Sequence, residues 1–480
     1  MGDTVAVPVW LLVVLSVLAG WWLLDRLLVP SVRWFLRRRV DRVLDELNTR
    51  LKLKIQPFKL TKRQALIDML TYDAKVVEAA RAHAEETGIP REQAMAEVAR
   101  YAREIVPSFN AYVYFRLGTW LARRLAKTLY RVRLGHVDVE GLSGIPEDST
   151  VVFVMNHRSN MDYVLVAFLA ADQAALSYAV GEWARVWPLQ TLIRSMGAYF
   201  IRRDSKSSLY RRVLERYVKM ATENGVAQAV FPEGGLSRDG ALRPPRMGLL
   251  DYMLRGFDPE GERDLVFVPV GINYDRVLED RTLLLSGDPQ APRRGTWHAV
   301  RTVLGFWGHH AKLALRGEWH RFGYACVNFG TPVSARAWAA ARALDFRRLG
   351  DEERRARVEE MARDLMGRIG GLVPVLPVPL VATVLLEAEA PLSVLELKAR
   401  VETLIERLEG AGAHVYIPRR TRDYAVTSGI RHLLERHLLL SDDGTDQGLL
   451  RANPAETRLL SYYANAIAHL GRGGEKAAAE

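Results

Sequence analysis

The sequence predicts an α/β domain flanked by helical regions, and three observations carry that expectation. Between about residues 137 and 333, short β-like runs alternate with helical periods: Val137-Asp138-Val139, Val151 to Met155, Gln228 to Phe231, Leu265 to Val270 and Tyr324 to Phe329. Ahead of them, Val40, Val43, Leu44, Leu47 and Leu51 recur at helical spacing, and Ile89-Pro90-Arg91-Glu92 reads as a helix start. Behind them, Glu352 to Ile369 sets Val358, Met361, Leu365 and Ile369 on one face of a charged helix.

Taken from the N-terminus, Val5 to Leu24 contains no charged residue and as a helix spans about 30 Å, the thickness of a bilayer's hydrocarbon core. Asp3 before it and Trp21-Trp22 within its end do not suit a cleaved signal peptide, so an uncleaved anchor is expected. Arg26, Arg33, Arg37, Arg38 and Arg39 follow, which by the positive-inside rule leaves the rest of the chain in the cytoplasm. Pro8 and the marginal length leave a buried or surface-lying helix as the other reading.

Residues 32 to 134 read as helical. Within them, Phe109 to Arg133 pairs Tyr112, Phe115, Trp120, Leu121, Leu125 and Leu129 with Arg116, Arg123, Arg124, Lys127, Arg131 and Arg133. Such a basic amphipathic helix can lie on anionic lipid or pack on the α/β domain with a solvated face.

Past the α/β domain, the proline-punctuated Val373 to Pro379 marks a junction. Ser393 with Glu396 then caps a helix through Leu397, Val401, Leu404, Ile405 and Leu408 to Gly410. A second helix is expected over Val426 to His437 and a polar hairpin over Ser441 to Gln447. Two short helices and a hairpin admit a DNA-binding winged helix, but no recognised nucleic-acid motif accompanies the charge and none is expected as a partner. The tail from Arg472 to Glu480 is expected to be disordered.

Composition bounds the chemistry. At 480 residues and 49% hydrophobic content the chain can bury substantial cores. The single cysteine, Cys326, excludes an intramolecular disulfide and fits a reducing compartment. His309-His310 has no carboxylate or Cys spacing around it, so no metal is expected. A net charge of +11 implies an anionic partner, for which nucleic acid, anionic lipid and a phosphorylated acyl donor all qualify.

The sharpest chemical signal is Asn156-His157-Arg158-Ser159-Asn160-Met161-Asp162, between two apolar segments. With 11 histidines, about half a His-x-x-x-x-Asp match is expected by chance. Ser159 and Asp162 also read as a capping-box-like helix start. Within one helix His157 and Asp162 would point about 140° apart, so they meet only if His157 lies in the turn before it. If they meet, His157 is a general base and Asp162 its orienting carboxylate, a pairing suited to acyl transfer to an alcohol.

Three later segments complete a pattern: Gly197-Ala198-Tyr199-Phe200-Ile201-Arg202-Arg203, then Phe231-Pro232-Glu233-Gly234-Gly235-Leu236-Ser237-Arg238, then Val266-Phe267-Val268-Pro269-Val270-Gly271. In this order and spacing the chain resembles the glycerolipid acyltransferase superfamily, and most closely the membrane-bound bacterial glycerol-3-phosphate 1-O-acyltransferases. The likeness runs from about residue 95 to 475 and includes Leu460 to Leu470; lysophosphatidate acyltransferases are usually shorter and lack that part. Leu236 stands where this branch usually carries Arg, and Phe231-Pro232-Glu233-Gly234 is commoner among lysophosphatidate enzymes, which keeps that acceptor as the alternative.

The resemblance implies a glycerolipid-acyltransferase-like catalytic domain with a mixed sheet flanked by helices over 135–335. Around it stand an anchor and basic flank (1–31), an N-terminal helical region (32–134), connecting helices (336–390), a C-terminal helical lobe (391–471) and the tail (472–480). It implies transfer of a fatty acyl group from acyl-CoA or acyl carrier protein to the sn-1 hydroxyl of glycerol 3-phosphate, the first committed step of phospholipid synthesis, without a bound cofactor. His157 and Asp162 are then catalytic, and Arg202, Arg203, Arg238, Arg158 and Arg246 are the candidates for binding phosphate. Glu233, Gly234 and Ser237 support the site. The expected location is the bacterial inner membrane, with anionic lipid as a further partner and the catalytic domain on the cytoplasmic side.

Overall fold

A computed structural model describes residues 56–170, 175–181, 189–202, 205, 207–286, 321–418, 421–442 and 448–471. Outside these ranges lie the expected anchor at 5–24 with its basic flank, the helical spacing at 40–51, Arg203, His309-His310, most of the hairpin tip and the tail. Among the described residues no helix is long and apolar enough to cross a membrane.

The centre is an eight-stranded mixed sheet: β1 (Arg131–Val137), β2 (Thr150–Met155), β3 (Ser177–Val180), β4 (Tyr199–Phe200), β5 (Gln228–Val230), β6 (Leu265–Tyr274), β7 (Tyr324–Phe329) and β8 (Val333–Ser334). Their spatial order is β1-β7-β6-β2-β5-β3-β4, with β8 beside β6. From β6 to β4 all neighbours run parallel, whereas β7 and β8 pair antiparallel with β6. β2 reads Thr-Val-Val-Phe-Val-Met and is buried throughout, the unbroken apolar run expected of a parallel strand covered on both faces. Its side chains alternate: Val151, Phe153 and Met155 enter one core, Val152 and Val154 the other.

Two expectations need correction. Val137 to Val139 is not a strand: β1 ends at Val137, and Asp138 caps a short helix, Val139–Ser143, by accepting the Gly141 N–H. The Phe109 to Arg133 helix is also shorter and composite. A π-helical turn, Val113–Gly118, leads into Thr119–Leu129, and Arg131 and Arg133 lie on β1. β6 runs unbroken through Pro269. Pro269 sits between the pairing of Val266 and Phe267 with β8 and that of Val270 onward with β7, and its carbonyl accepts from Gly330 on that edge, so the missing N–H faces the gap between the two partners.

Helices cover both faces. On one lie α1 (Arg63–Thr71), α2 (Ala74–Thr87) and α3 (Arg91–Ile105), which pack on α6 (Ser208–Glu223), together with α7 (Gly248–Leu254) and α9 (Asp351–Leu372). An Arg216–Asp73 ion pair at 2.5 Å ties the N-terminal helices to α6. On the other face α4 (Thr119–Leu129) packs against α5 (Met161–Ala170), with α8 (Asp280–Ser286) nearby. The C-terminal lobe joins this face: the almost fully buried α10 (Pro377–Glu387) is surrounded by α11 (Val394–Gly410), α12 (Arg422–Glu435) and α13 (Thr457–Ala464). Strands Leu439–Ser441 and Leu450–Ala452 form the antiparallel hairpin after α12, whose face toward α10 is therefore occupied. Ser393 caps α11 by accepting the Glu396 N–H at 3.2 Å.

Candidate active site

The site forms where parallel strands end, because every loop that leaves their carboxyl edge emerges on the same side. The His157 loop follows β2, the Phe231–Gly235 turn follows β5, Arg202 follows β4, and Tyr274 ends β6. Since β5 and β6 flank β2, all of these loops meet around His157.

His157 lies in the turn before α5, and its Nδ1 is 2.9 Å from Asp162 Oδ2. The carboxylate is held from all sides. Oδ2 also accepts the backbone N–H groups of Arg158 (2.8 Å) and Ser159 (3.0 Å), and Oδ1 accepts the Tyr274 hydroxyl at 2.5 Å. His157 and Asp162 are 1% and 0% exposed. An acceptor at Nδ1 leaves Nε2 as the nitrogen that can take a proton, the arrangement required of an oriented general base. The imidazole stacks on Phe231 with centroids 3.9 Å apart and meets Tyr163 edge-on at 5.5 Å, so packing fixes its plane as well.

Two carboxylates, the buried Glu233 and the half-buried Glu279, brace the loop. Glu233 accepts the His157 N–H (2.8 Å) through one oxygen and the Arg243 N–H (3.0 Å) through the other, while Ser237 N–H donates to the His157 carbonyl at 3.0 Å. Burial pushes the Glu233 carboxyl up to about 7, against the opposing pull of these amides and of Arg158. Glu279, also raised chiefly by burial, accepts from the Ser159 hydroxyl (2.7 Å) and from the Asn160 backbone and side-chain N–H groups. The Ser237 hydroxyl donates to the Ala241 carbonyl at 2.7 Å, closing the turn below Glu233.

Beside His157 a cleft of about 980 Å³, part of it open to solvent, is lined by Arg202, Arg211, Arg246, Tyr210, Phe231 and Gly234 among others. The candidate arginines fare differently. Arg246 lines the cleft and packs across Gly234, where an added Cβ would come within 2.5 Å of its Cδ; Gly234 also has φ +67°. Arg202 lines it too, but its guanidinium is committed to Glu104 by two hydrogen bonds of 2.8 and 2.7 Å. Arg158 is buried against the Tyr462 ring and donates to the Gly240 carbonyl, away from the cleft lining. Arg238 is exposed and lies outside the lining.

Sequence reasoning missed Tyr274, Glu279 and Arg211. It also missed the contact between the C-terminal lobe and the catalytic loops: Tyr462 covers Arg158, and the Asn465 amide donates to the Asp239 carbonyl at 2.9 Å. Among the described residues no cluster of His, Cys, Asp or Glu has the makings of a metal site.

Residues 136–273 match the acyltransferase family model, and residues 312–471 match the model of the glycerol-3-phosphate acyltransferase C-terminal region. The chain thus carries an acyltransferase domain followed by a region similar to the C-terminal region of glycerol-3-phosphate acyltransferases. Proteins named glycerol-3-phosphate acyltransferase from Aeromonas hydrophila and Xylella fastidiosa are 29% and 28% identical over 86% and 90% of the chain, covering 50% of each relative. One from Pseudomonas aeruginosa is 30% identical over 73% of the chain and 41% of its own length. The chain thus spans about half the length of the curated relatives it matches. The two family matches fall on the two parts that meet at the site: the dyad lies in the first, and the lobe that buttresses it lies in the second.

Proposed function

We propose that this chain transfers a fatty acyl group from acyl-CoA or acyl carrier protein to the sn-1 hydroxyl of glycerol 3-phosphate, giving lysophosphatidate. The observation that carries this reading is the His157–Asp162 pair, oriented through Nδ1 beside a cleft with arginines in its lining. In the proposed reaction, His157 Nε2 takes the hydroxyl proton as the oxygen attacks the thioester carbonyl. Asp162 steadies the imidazolium, and collapse of the tetrahedral intermediate expels a thiolate that recovers the proton. The acyl group enters already activated, so neither a covalent enzyme intermediate nor a bound cofactor is needed.

The amides at the start of α5 are occupied by Asp162, Glu279 and Ser159, and the Gly234 N–H donates to the Phe231 carbonyl at 3.0 Å, which favours the Gly235 amide in the same turn as the oxyanion donor. For the acceptor phosphate, Arg246 is the principal grip: it lines the cleft, and among the described residues no carboxylate pairs with it. Arg202 adds field but shares its guanidinium with Glu104, and exposed Arg238 supplies the weaker contact.

The reading extends to the inner membrane, with residues 5–24 as anchor and the catalytic domain on the cytoplasmic side. Tyr112, Leu117, Trp120 and Leu121 are exposed beside the basic side chains of Arg116, Arg123, Arg124 and Lys127, a composition suited to an anionic lipid surface. The functional test is an assay of purified protein that crosses acyl-CoA and acyl carrier protein with glycerol 3-phosphate and lysophosphatidate. Acylation of glycerol 3-phosphate is expected; acylation of lysophosphatidate alone overturns the acceptor, and transfer to neither overturns the function.

A further inference from the structure

Asp162 has two oxygens, and only one of them faces His157. The other, Oδ1, takes the hydroxyl of Tyr274 at 2.5 Å. Tyr274 is the last residue of β6, 112 positions from Asp162 in sequence, and is 0% exposed. Its position is fixed from two directions. The Asn156 side chain bonds both backbone groups of Ile272, at 2.9 and 2.8 Å, which locks the catalytic loop in register with the end of β6. The Tyr130 ring packs on Tyr274 with centroids 5.3 Å apart, and the Tyr130 hydroxyl is tied to the Arg276 carbonyl at 2.8 Å, so the Tyr274 ring has no room to swing away.

Resting on the acyl-transfer reading, we infer that Tyr274 is a positioning residue of this centre, setting the orientation and the basicity of His157 through the Asp162 carboxylate. Burial and the Asp162 charge keep the Tyr274 phenol protonated far above neutral pH, so it acts only as donor. A carboxylate anchored at Oδ1 cannot rotate away from the imidazole. It also spreads part of its charge toward the phenol and holds the imidazolium less tightly than an unshared carboxylate would. Tyr274 therefore makes two separable contributions, one to turnover and one to the pH at which His157 becomes a usable base.

Among the described residues, the other titratable and charged groups facing the pair are Glu233, Glu279, Arg158 and the hydroxyls of Tyr130, Tyr163 and Tyr462. All are retained in the variants, so the difference between profiles isolates Tyr274. The experiment compares the full chain with Tyr274→Phe and with 3-fluorotyrosine replacing Tyr274, a change that preserves shape and makes a stronger donor. Acyl-transfer rates are measured across pH 5 to 9. In parallel, the imidazole nitrogen resonances of His157, assigned by their loss in His157→Gln, are followed over the same range without substrate.

Tyr274→Phe is expected to lower kcat on the order of tenfold with little change in KM for glycerol 3-phosphate, and to move the acid limb and the His157 titration to higher pH. Fluorotyrosine is expected to move both to lower pH while leaving the fold intact, which keeps the test valid if the Phe variant folds poorly. Profiles and titrations that stay at the wild-type position in both variants overturn the inference and leave Tyr274 a packing residue. Opposite shifts of the titration in a chain that transfers no acyl group support the positioning role and overturn only the functional reading.

Discussion

The loop around His157 and the arginine lining beside it are built on opposite plans. In the loop, Asp162 takes four donors and Glu233 takes two, both out of water, and the half-buried Glu279 takes the Ser159 and Asn160 groups. In the lining, Arg211 and Arg246 are exposed and unpaired among the described residues, and Arg202 alone has a carboxylate partner. The groups proposed to move protons are thus preorganised by the fold, whereas those proposed to hold a dianion are left for a ligand to order. A cation held ready in water costs little, but a misoriented base loses the reaction geometry.

The largest expected effect is at the centre of the braced loop. Asp162→Asn puts an amide where Oδ2 meets three donors, and kcat should fall a hundredfold or more, on the order of positioned acid–base catalysis. A loss under threefold in folded protein would show that the bracing serves packing only.

Glu233 should have an intermediate effect with a pH signature. Its carboxyl rises from an ordinary 4.5 to about 7 on folding, so between those values the folded chain retains a proton that the unfolded chain has lost. The corresponding stability is present below pH about 4.5 and disappears as pH rises through about 7. Glu233→Gln should flatten the fall in unfolding free energy over this window, measured by denaturant titration at several pH values, and lower kcat about tenfold by freeing one loop amide. An unchanged slope would place the titrating group elsewhere. The smallest effect is expected outside the cleft: Arg238→Ala should raise KM for glycerol 3-phosphate no more than about threefold, as for a solvent-screened contact. A tenfold rise would bring Arg238 into the site.

Much of the scaffold is legible because its signals are local. β2 and β7 are apolar runs whose side chains need no distant information to read as buried strands, and Ser393 caps its own helix. The dyad is legible for the same reason, since turn and helix start fall within seven residues. What brings distant groups together is sheet order, which periodicity does not encode. Tyr274 reaches Asp162 because β6 lies beside β2, and Glu279 reaches Ser159 across 120 positions. Arg202 reads as a phosphate ligand until Glu104, 98 residues earlier, is seen on it. Arg158 adjoins His157 in sequence but turns toward the C-terminal lobe, where Tyr462 covers it. Gly240 carries the one partial signal of that contact: with φ +88° and the Tyr462 carbonyl against it, no side chain fits there.

The contrast between a finished base and an unfinished anion site reduces to one kinetic comparison, kcat and KM for glycerol 3-phosphate in His157→Ala and Arg246→Ala. Loss of the base should cut kcat by a hundredfold or more, on the order of general-base catalysis, with KM nearly unchanged, and loss of the cleft arginine should raise KM on the order of tenfold with kcat largely kept. Near-normal turnover in folded His157→Ala protein would contradict the mechanism at its root.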